Sequence, residues 1–104
     1  MAFKEAQKET DDWIKQCGYG YFTPHEILAR LMEETGELAR EVNHEFGPKK
    51  KKPTEADNDI GDEIADIFFT LVCLANSLDI KLDDKWEKMM DKYYKRDKTR
   101  WKQK

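Results

Sequence analysis

The segment of residues 60–78, IGDEIADIFFTLVCLANSL, restricts the fold more than any other part of this sequence. Its isoleucines, leucines and Phe68 cover one side of a helix, and Ala65, Phe69 and Val72 cover much of the other. A helix that is apolar nearly all round is normally buried between other elements. Its longest apolar stretch, residues 67–75, is far shorter than the roughly 20 residues that span a bilayer. The segment therefore predicts a central helix of a helical protein and no membrane partner.

Three further segments have apolar residues at helical spacing, and no segment gives a convincing strand. Gly18 and Gly20 end the first predicted helix, and Thr23 is the predicted N-cap of the second, which ends at Gly47. Asp83 is the predicted cap of the fourth. The sequence thus predicts an all-α fold, a short four-helix protomer. The predicted helices are about 3–16, 24–46, 59–78 and 84–97.

Length and composition limit the chain to one domain, residues 1–104, with a lysine-rich flexible loop at about 47–58 and a basic tail at about 98–104. The net charge is only −3, so no overall electrostatic field recruits nucleic acid. No signal peptide is present, and Cys17 and Cys73 lack metal-binding spacing, so we expect reduced thiols and a cytoplasmic location.

Acidic residues are concentrated on the second and third predicted helices. Glu33, Glu34 and Glu37 form a stripe with Glu41 at the edge of the apolar face of the second helix, and taken alone they are best explained as a solvated acidic face. Glu63 and Asp66, however, share the one polar stripe of the third helix, which is otherwise apolar. Unpaired carboxylates in a buried position become protonated or need a cation.

A divalent metal ion is the simplest partner for these acids, because few basic residues are available on the same helices. The ligands would all be oxygen atoms, which select a hard cation such as Mg²⁺, with Mn²⁺ as a substitute. Two acid pairs at i, i+3 spacing on neighbouring antiparallel helices would surround it. The predicted metal ligands are Glu34, Glu37, Glu63 and Asp66.

The same acids match a known signature. Glu33-Glu34-x-x-Glu37 is separated by 25 residues (38–62) from Glu63-x-x-Asp66. This pattern resembles the EExxE…ExxD signature of the MazG-like nucleotide pyrophosphohydrolases, and the surrounding text from about residue 19 to 101 also resembles a small single-domain member. The resemblance implies helical-bundle oligomers, dimers or tetramers, and Mg²⁺-dependent cleavage of (deoxy)nucleoside triphosphates between the α- and β-phosphates. The products would be a nucleoside monophosphate and pyrophosphate.

Roles within this signature follow from the resemblance. It implies that Glu34, Glu37, Glu63 and Asp66 bind metal, and that Glu33 acts in catalysis by orienting the attacking water or helping to bind a further ion. Phosphoryl transfer depends mainly on positioning and charge neutralisation, which agrees with such a site. Two alternatives stay open: an enzyme like phosphoribosyl-ATP pyrophosphohydrolase, and a non-catalytic helical interaction module stabilised by metal.

Some residues outside the signature are predicted to contact substrate, and each of them also has a purely structural interpretation. Lys92 and Arg96, one turn apart, would bind phosphate, or else simply suit the C-terminal end of a helix dipole. Asn76 would hold substrate or tie a helix end. The run of lysines at 49–52 would fold over the triphosphate or form a solvated linker.

The aromatic residues before the second helix, Tyr19, Tyr21 and Phe22, together with Trp13, could stack on a base, although core or subunit packing is the simpler interpretation. His44 follows Glu41 at the spacing of a di-iron motif. Its second pair is missing, so we interpret His44 as a polar surface residue.

Overall fold

Four helices form the protein in a computed structural model, which describes residues 2–48, 50–53 and 58–97. They are α1 (Ala2–Cys17), α2 (Pro24–Phe46), α3 (Ile60–Ser77) and α4 (Leu82–Asp97). No strand occurs within the described ranges, so the predicted all-α class is confirmed. Lys49 and residues 54–57 of the lysine-rich loop lie outside the described residues, and so does the predicted tail at 98–104. No helix in the described part of the chain is long and apolar enough to cross a membrane.

Local signals at both ends explain the bounds of α2. Thr23 is the N-cap: its side chain accepts a hydrogen bond from the backbone N–H of Glu26, and the Glu26 carboxylate accepts one from the backbone N–H of Thr23. This reciprocal pair satisfies two backbone donors that a helix start leaves unpaired. At the other end, Gly47 donates its N–H to the Asn43 carbonyl. A Cβ there would lie 2.6 Å from that carbonyl oxygen, so glycine fits this position best.

Helices α2 and α3 pack against each other most extensively, α1 packs on α3, and α4 packs on α1. The start of α4 differs from the sequence prediction, because the helix begins at Leu82 and Asp83 lies within its first turn. Asp83 instead accepts a hydrogen bond from the backbone N–H of Lys4, 3.1 Å away in the first turn of α1. An acid at a helix N-terminus is favourable, so Asp83 joins α1 to α4.

The burial of α3 also differs from the prediction of a helix covered on all sides. Among the described residues, three apolar side chains are buried: Ile27, Val72 and Ala75. Four apolar side chains at helical spacing along α3 and at its C-cap remain 37–55% exposed, and we call them the exposed α3 stripe: Ile64, Phe68, Leu71 and Leu78. A single chain offers α3 only α1 and α2 as major neighbours, so one face is left without cover.

Candidate functional site

Two glutamates lie buried where α2 and α3 pack together. Glu34 of α2 is 4% exposed and Glu63 of α3 is 2% exposed. The Oε2 atom of each has no hydrogen-bond partner in the described part of the chain. Buried polar atoms in proteins nearly always have partners, so two unpartnered oxygen atoms on neighbouring helices are a departure that needs a physical reason.

A third carboxylate completes this cluster. One oxygen atom from each of Glu34, Glu37 and Glu63 lies within 4.8 Å of the other two. We call these three residues the carboxylate cluster. Ionised carboxylates can only accept hydrogen bonds, so they cannot pair with one another. Without a proton or a cation, the three side chains therefore repel one another.

The electrostatics of the cluster reflect burial first and crowding second. Burial raises the pKa of Glu34, and the neighbouring charge of Glu37 raises it further. Burial likewise raises the pKa of Glu63, again with a contribution from Glu37. In both cases the charged form is disfavoured by the surroundings. A divalent cation with oxygen ligands would remove the repulsion and give the buried Oε2 atoms a partner, so the residues present fit such an ion.

The remaining acids of the signature lie around the cluster. Asp66 is exposed, and its charge contributes to the raised pKa of both Glu34 and Glu63, although it does not belong to the closest group of three. Glu33 is exposed and lines the same cleft as Glu34 and Asp66. The structure therefore brings Glu34, Glu37 and Glu63 together and leaves Glu33 and Asp66 at the solvent side.

Arg30, one of the few basic residues on these helices, supplies a partner that the sequence interpretation did not assign to Glu34. Its Nε atom lies 3.0 Å from Glu34 Oε1, one turn away on α2. The i, i+4 spacing of Arg30 and Glu34 was the available signal. The Arg30 side chain is 63% exposed and contacts only one of the two oxygen atoms, so it neutralises Glu34 in part and leaves Oε2 facing the cluster.

A cleft of about 750 Å³ opens beside the cluster. Its acidic side is formed by Glu33, Glu34 and Asp66, and its other side is aromatic and apolar. Tyr21 is held firmly there, because its hydroxyl donates to Asp11 and accepts from Asn76, and burial raises its pKa to about 12. The aromatic and sulfur-containing side chains that also line this side are Trp13, Tyr19, Phe22, Phe69, Cys17 and Cys73.

The aromatic residues of this cleft are largely accessible. Trp13 is 53% exposed and Phe22 is 63% exposed, while the ring of Trp13 meets Phe69 edge to face at 5.8 Å. The structure thus places these aromatic side chains on the same cleft as the signature acids, which the sequence could not establish.

Asn76 lies at the junction of α1 and α3. Its Oδ1 atom accepts from the Gln7 side chain, and its Nδ2 atom donates to the Gln7 carbonyl and to the Tyr21 hydroxyl. Both Nδ2 protons and one oxygen lone pair are therefore engaged within the chain. Gln7 also joins this network to Ile80 and Leu82 at the start of α4.

The predicted cationic substrate contacts lie elsewhere. Lys92 and Arg96 are exposed on α4, which packs mainly on α1, whereas the carboxylate cluster lies between α2 and α3. The Arg96 guanidinium lies 5.1 Å from the centre of the Tyr93 ring. In the described part of the chain α4 packs mainly on α1, not on the helices of the carboxylate cluster, and phosphate binding by Lys92 and Arg96 stays a prediction.

His44 and its neighbours correct one sequence interpretation. The His44 side chain is only 8% exposed and its Nδ1 atom lies 3.8 Å from Glu41 Oε1, so it is not a surface residue. Lys51 of the lysine-rich loop lies against the other oxygen of Glu41, at 2.8 Å. The sequence did not reveal these contacts, because they depend on the path of the loop after α2.

Comparisons with known proteins agree on one family. The family model described as the MazG nucleotide pyrophosphohydrolase domain matches residues 22–101. The uncharacterized protein YpjD of Bacillus subtilis (strain 168) is 54% identical over 98 residues, 94% of this chain and 88% of that protein. The uncharacterized protein YvdC of the same organism is 28% identical over 92% of this chain and 96% of its own length.

Solved structures give the same result. The crystal structure of YPJD from Bacillus subtilis superimposes with a TM-score of 0.77 at 52% identity, covering 89% of this chain and 95% of that one. The Bacillus-conserved MazG protein, a nucleotide pyrophosphohydrolase, superimposes with a TM-score of 0.75 at 42% identity, covering 89% and 90%.

Proposed function

Because the chain belongs to the MazG nucleotide pyrophosphohydrolase family, we propose that it hydrolyses (deoxy)nucleoside triphosphates between the α- and β-phosphates. The products would be a nucleoside monophosphate and pyrophosphate. The observation that supports this most strongly is the carboxylate cluster, in which two glutamates are buried with unpartnered oxygen atoms. A purely solvated acidic face would not bury them.

Each signature acid has a proposed role that its position supports. Glu34, Glu37 and Glu63 would hold Mg²⁺, for which Mn²⁺ can substitute, with Asp66 closing the site from the solvent side. When bound, the ion would neutralise phosphate charge and increase the acidity of water. Glu33 lines the cleft and is solvent-exposed, which supports a role in orienting the attacking water and accepting its proton.

The cleft next to the cluster supports a nucleotide as the substrate class. Its acidic side would hold the cation-bound phosphates, and its exposed aromatic rings offer a stacking surface for a base. Arg30, between the two sides, would orient the substrate while holding Glu34 in place. Aromatic stacking is tolerant of base identity, so this surface alone gives no strict preference for one nucleotide.

The protomer would work as a homo-oligomer, a dimer or a tetramer. The exposed α3 stripe supports this proposal, because contiguous exposed apolar surface on a small protein is typical of an interface. An assembly would also offer a route for Lys92 and Arg96 to reach phosphate across an interface. Both cysteines are free, in keeping with the cytoplasmic location that we propose.

Product analysis tests the reaction directly. The protein is incubated with Mg²⁺ and each of the common ribo- and deoxyribonucleoside triphosphates, and the products are separated by ion-exchange chromatography. We expect equal amounts of monophosphate and pyrophosphate. Phosphoribosyl-ATP is included as a competing substrate to test the alternative. Release of orthophosphate, or no turnover of any nucleotide, would contradict the proposal.

A further inference from the structure

Lys51 connects the two helices of the carboxylate cluster through the loop that joins them. Its Nζ atom lies 2.8 Å from Glu41 Oε2 on α2 and donates to the backbone carbonyl of Asn58 at 2.7 Å. Asn58 directly precedes Asp59, the N-cap of α3. The Lys51 and Glu41 side chains are 24% and 12% exposed. Ion pairs on an open surface contribute little, whereas a partly buried pair with a further hydrogen bond is more strongly held.

Asn58 extends this contact to the cluster itself. Its Nδ2 atom donates to Oε1 of Glu63 at 3.4 Å, a long hydrogen bond, while Oε2 of the same carboxylate is buried and has no partner in the described part of the chain. The Asn58 amide therefore contacts one oxygen atom of Glu63 and leaves the other without a partner among the described residues. Groups that hydrogen-bond to a ligand side chain in this way fix its orientation.

The charges along α2 suggest why Lys51 takes this position. Glu34, Glu37 and Glu41 follow one another along one side of the helix. Arg30 pairs with the first of them and Lys51 with the last. The two cations therefore pair with the first and last acids of this row, and Glu37 between them belongs to the carboxylate cluster.

We propose that Lys51 and Asn58 are positioning residues that hold the start of α3, and with it the Glu63 carboxylate, in the geometry needed to bind a divalent cation. The inference rests on the proposed function, because it assumes that the cluster binds metal. It assigns a defined task to one lysine of the loop, whereas the neighbouring Lys50 and Lys52 are exposed.

Removal of the Lys51 charge distinguishes a positioning role of this residue from a purely electrostatic effect on metal affinity. If Lys51 acted only through its charge, its loss would leave the site more negative and Mn²⁺ would bind more tightly. If Lys51 positions Glu63, its loss weakens Mn²⁺ binding, and the loss of an orienting partner of a metal ligand typically costs about tenfold or more in affinity. The two explanations therefore predict opposite signs.

Mn²⁺ binding to the free protein, followed by electron paramagnetic resonance without nucleotide, provides the test. We expect Lys51→Met to bind Mn²⁺ about tenfold more weakly, Lys51→Arg to bind nearly as the unmodified protein does, and the matched control Lys52→Met to show no change. Asn58→Ala changes an exposed residue and should weaken binding in the same direction.

Unchanged or tighter Mn²⁺ binding by Lys51→Met would overturn the inference and leave the proposed function intact. Should Lys51→Met fail to fold, Asn58→Ala decides the matter, because unchanged affinity there would also overturn the inference. Absence of Mn²⁺ binding by the unmodified protein would instead contradict the proposed function, and the positioning role with it.

Discussion

Glu63 has the least exposed carboxylate of the chain's signature acids, and its environment opposes its charge. It is 2% exposed, its pKa is raised by burial and by Glu37, and one oxygen atom has no partner in the described part of the chain. An ionised group in such a position destabilises the fold unless a cation accompanies it. The Glu63 carboxylate therefore does not stabilise the isolated protomer, which favours a functional role for it.

Replacement of Glu63 by glutamine removes the charge and keeps the shape. We expect Glu63→Gln to lose nucleotide hydrolysis by about 100-fold or more, since a metal ligand contributes several kcal/mol to transition-state stabilisation. We also expect the melting temperature of the metal-free protein to stay the same or rise. Steady-state product assays and thermal denaturation measure the two effects.

Added EDTA gives the matched comparison for this variant. It should abolish the activity of the unmodified protein while the metal-free protein stays folded. If Glu63→Gln or the chelator lowered the melting temperature and no activity existed to lose, the cluster would be the structural metal site of a non-catalytic module.

At the scale of a single element, α2 shows how far local signals reach. Its N-cap at Thr23 and its end at Gly47 were both predicted from sequence, and the helix has the predicted bounds, whereas the reciprocal bond of Glu26 appears only in the structure. Caps of this type satisfy backbone groups within a few residues, so their energetics are local as well.

Thr23→Ala tests the cap. The Thr23 hydroxyl accepts a bond from the Glu26 N–H, and its loss should lower the free energy of unfolding by about 1 kcal/mol. Urea denaturation measures the change. Thr35→Ala is the control: the Thr35 hydroxyl donates to the Leu31 carbonyl on an exposed part of the same helix, and alanine favours helix there. An equal loss in both variants would rule out a specific role of the cap.

The junction of α1 and α3 depends on Asn76 and is tested separately. We expect Asn76→Ala to lower the free energy of unfolding by about 1–3 kcal/mol. The substitution removes the acceptor of the Gln7 side-chain amide and the donor to the Gln7 backbone carbonyl. The KM for nucleotide should change little in the folded variant. A large increase in KM with unchanged stability would instead favour the substrate contact that the sequence suggested.

These elements also show why part of the site escaped prediction. Helix ends follow from neighbouring residues, and the i, i+3 spacing of Glu34 and Glu37 follows from the helix itself. The burial of Glu63 likewise follows from the apolar character of its helix, whereas the exposure of Asp66 and the contact of Asn76 with Gln7 depend on how distant segments pack. The contact of Lys51 with Glu41 depends on the loop path, which no periodic pattern describes.

The whole molecule is extended for its length. Its radius of gyration is 17.4 Å, whereas a compact chain of this length would have about 13 Å. The exposed α3 stripe lies on the helix whose sequence first suggested complete burial. Both observations are what we expect of a protomer that completes its packing with other copies.

Leu71→Asp tests this expectation. Leu71 is 41% exposed in the middle of the stripe, so an acid there should be tolerated by the single chain and disfavoured at an interface. Sedimentation velocity should show an oligomer for the unmodified protein and a monomer of 12.4 kDa for the variant. Lys88→Asp, an exposed change on α4, is the control. A monomeric unmodified protein would refute the proposed assembly.

The small number of buried apolar side chains also implies that folding responds to dilution. The described residues bury only three apolar side chains (Ile27, Val72 and Ala75), so a protomer that associates as we propose would gain much of its stability from association. For a homodimer, each tenfold dilution would then reduce the apparent free energy of unfolding by about 1.4 kcal/mol. Scanning calorimetry over a hundredfold range of protein concentration should show a falling melting temperature, whereas a constant one would indicate that the single chain is stable alone.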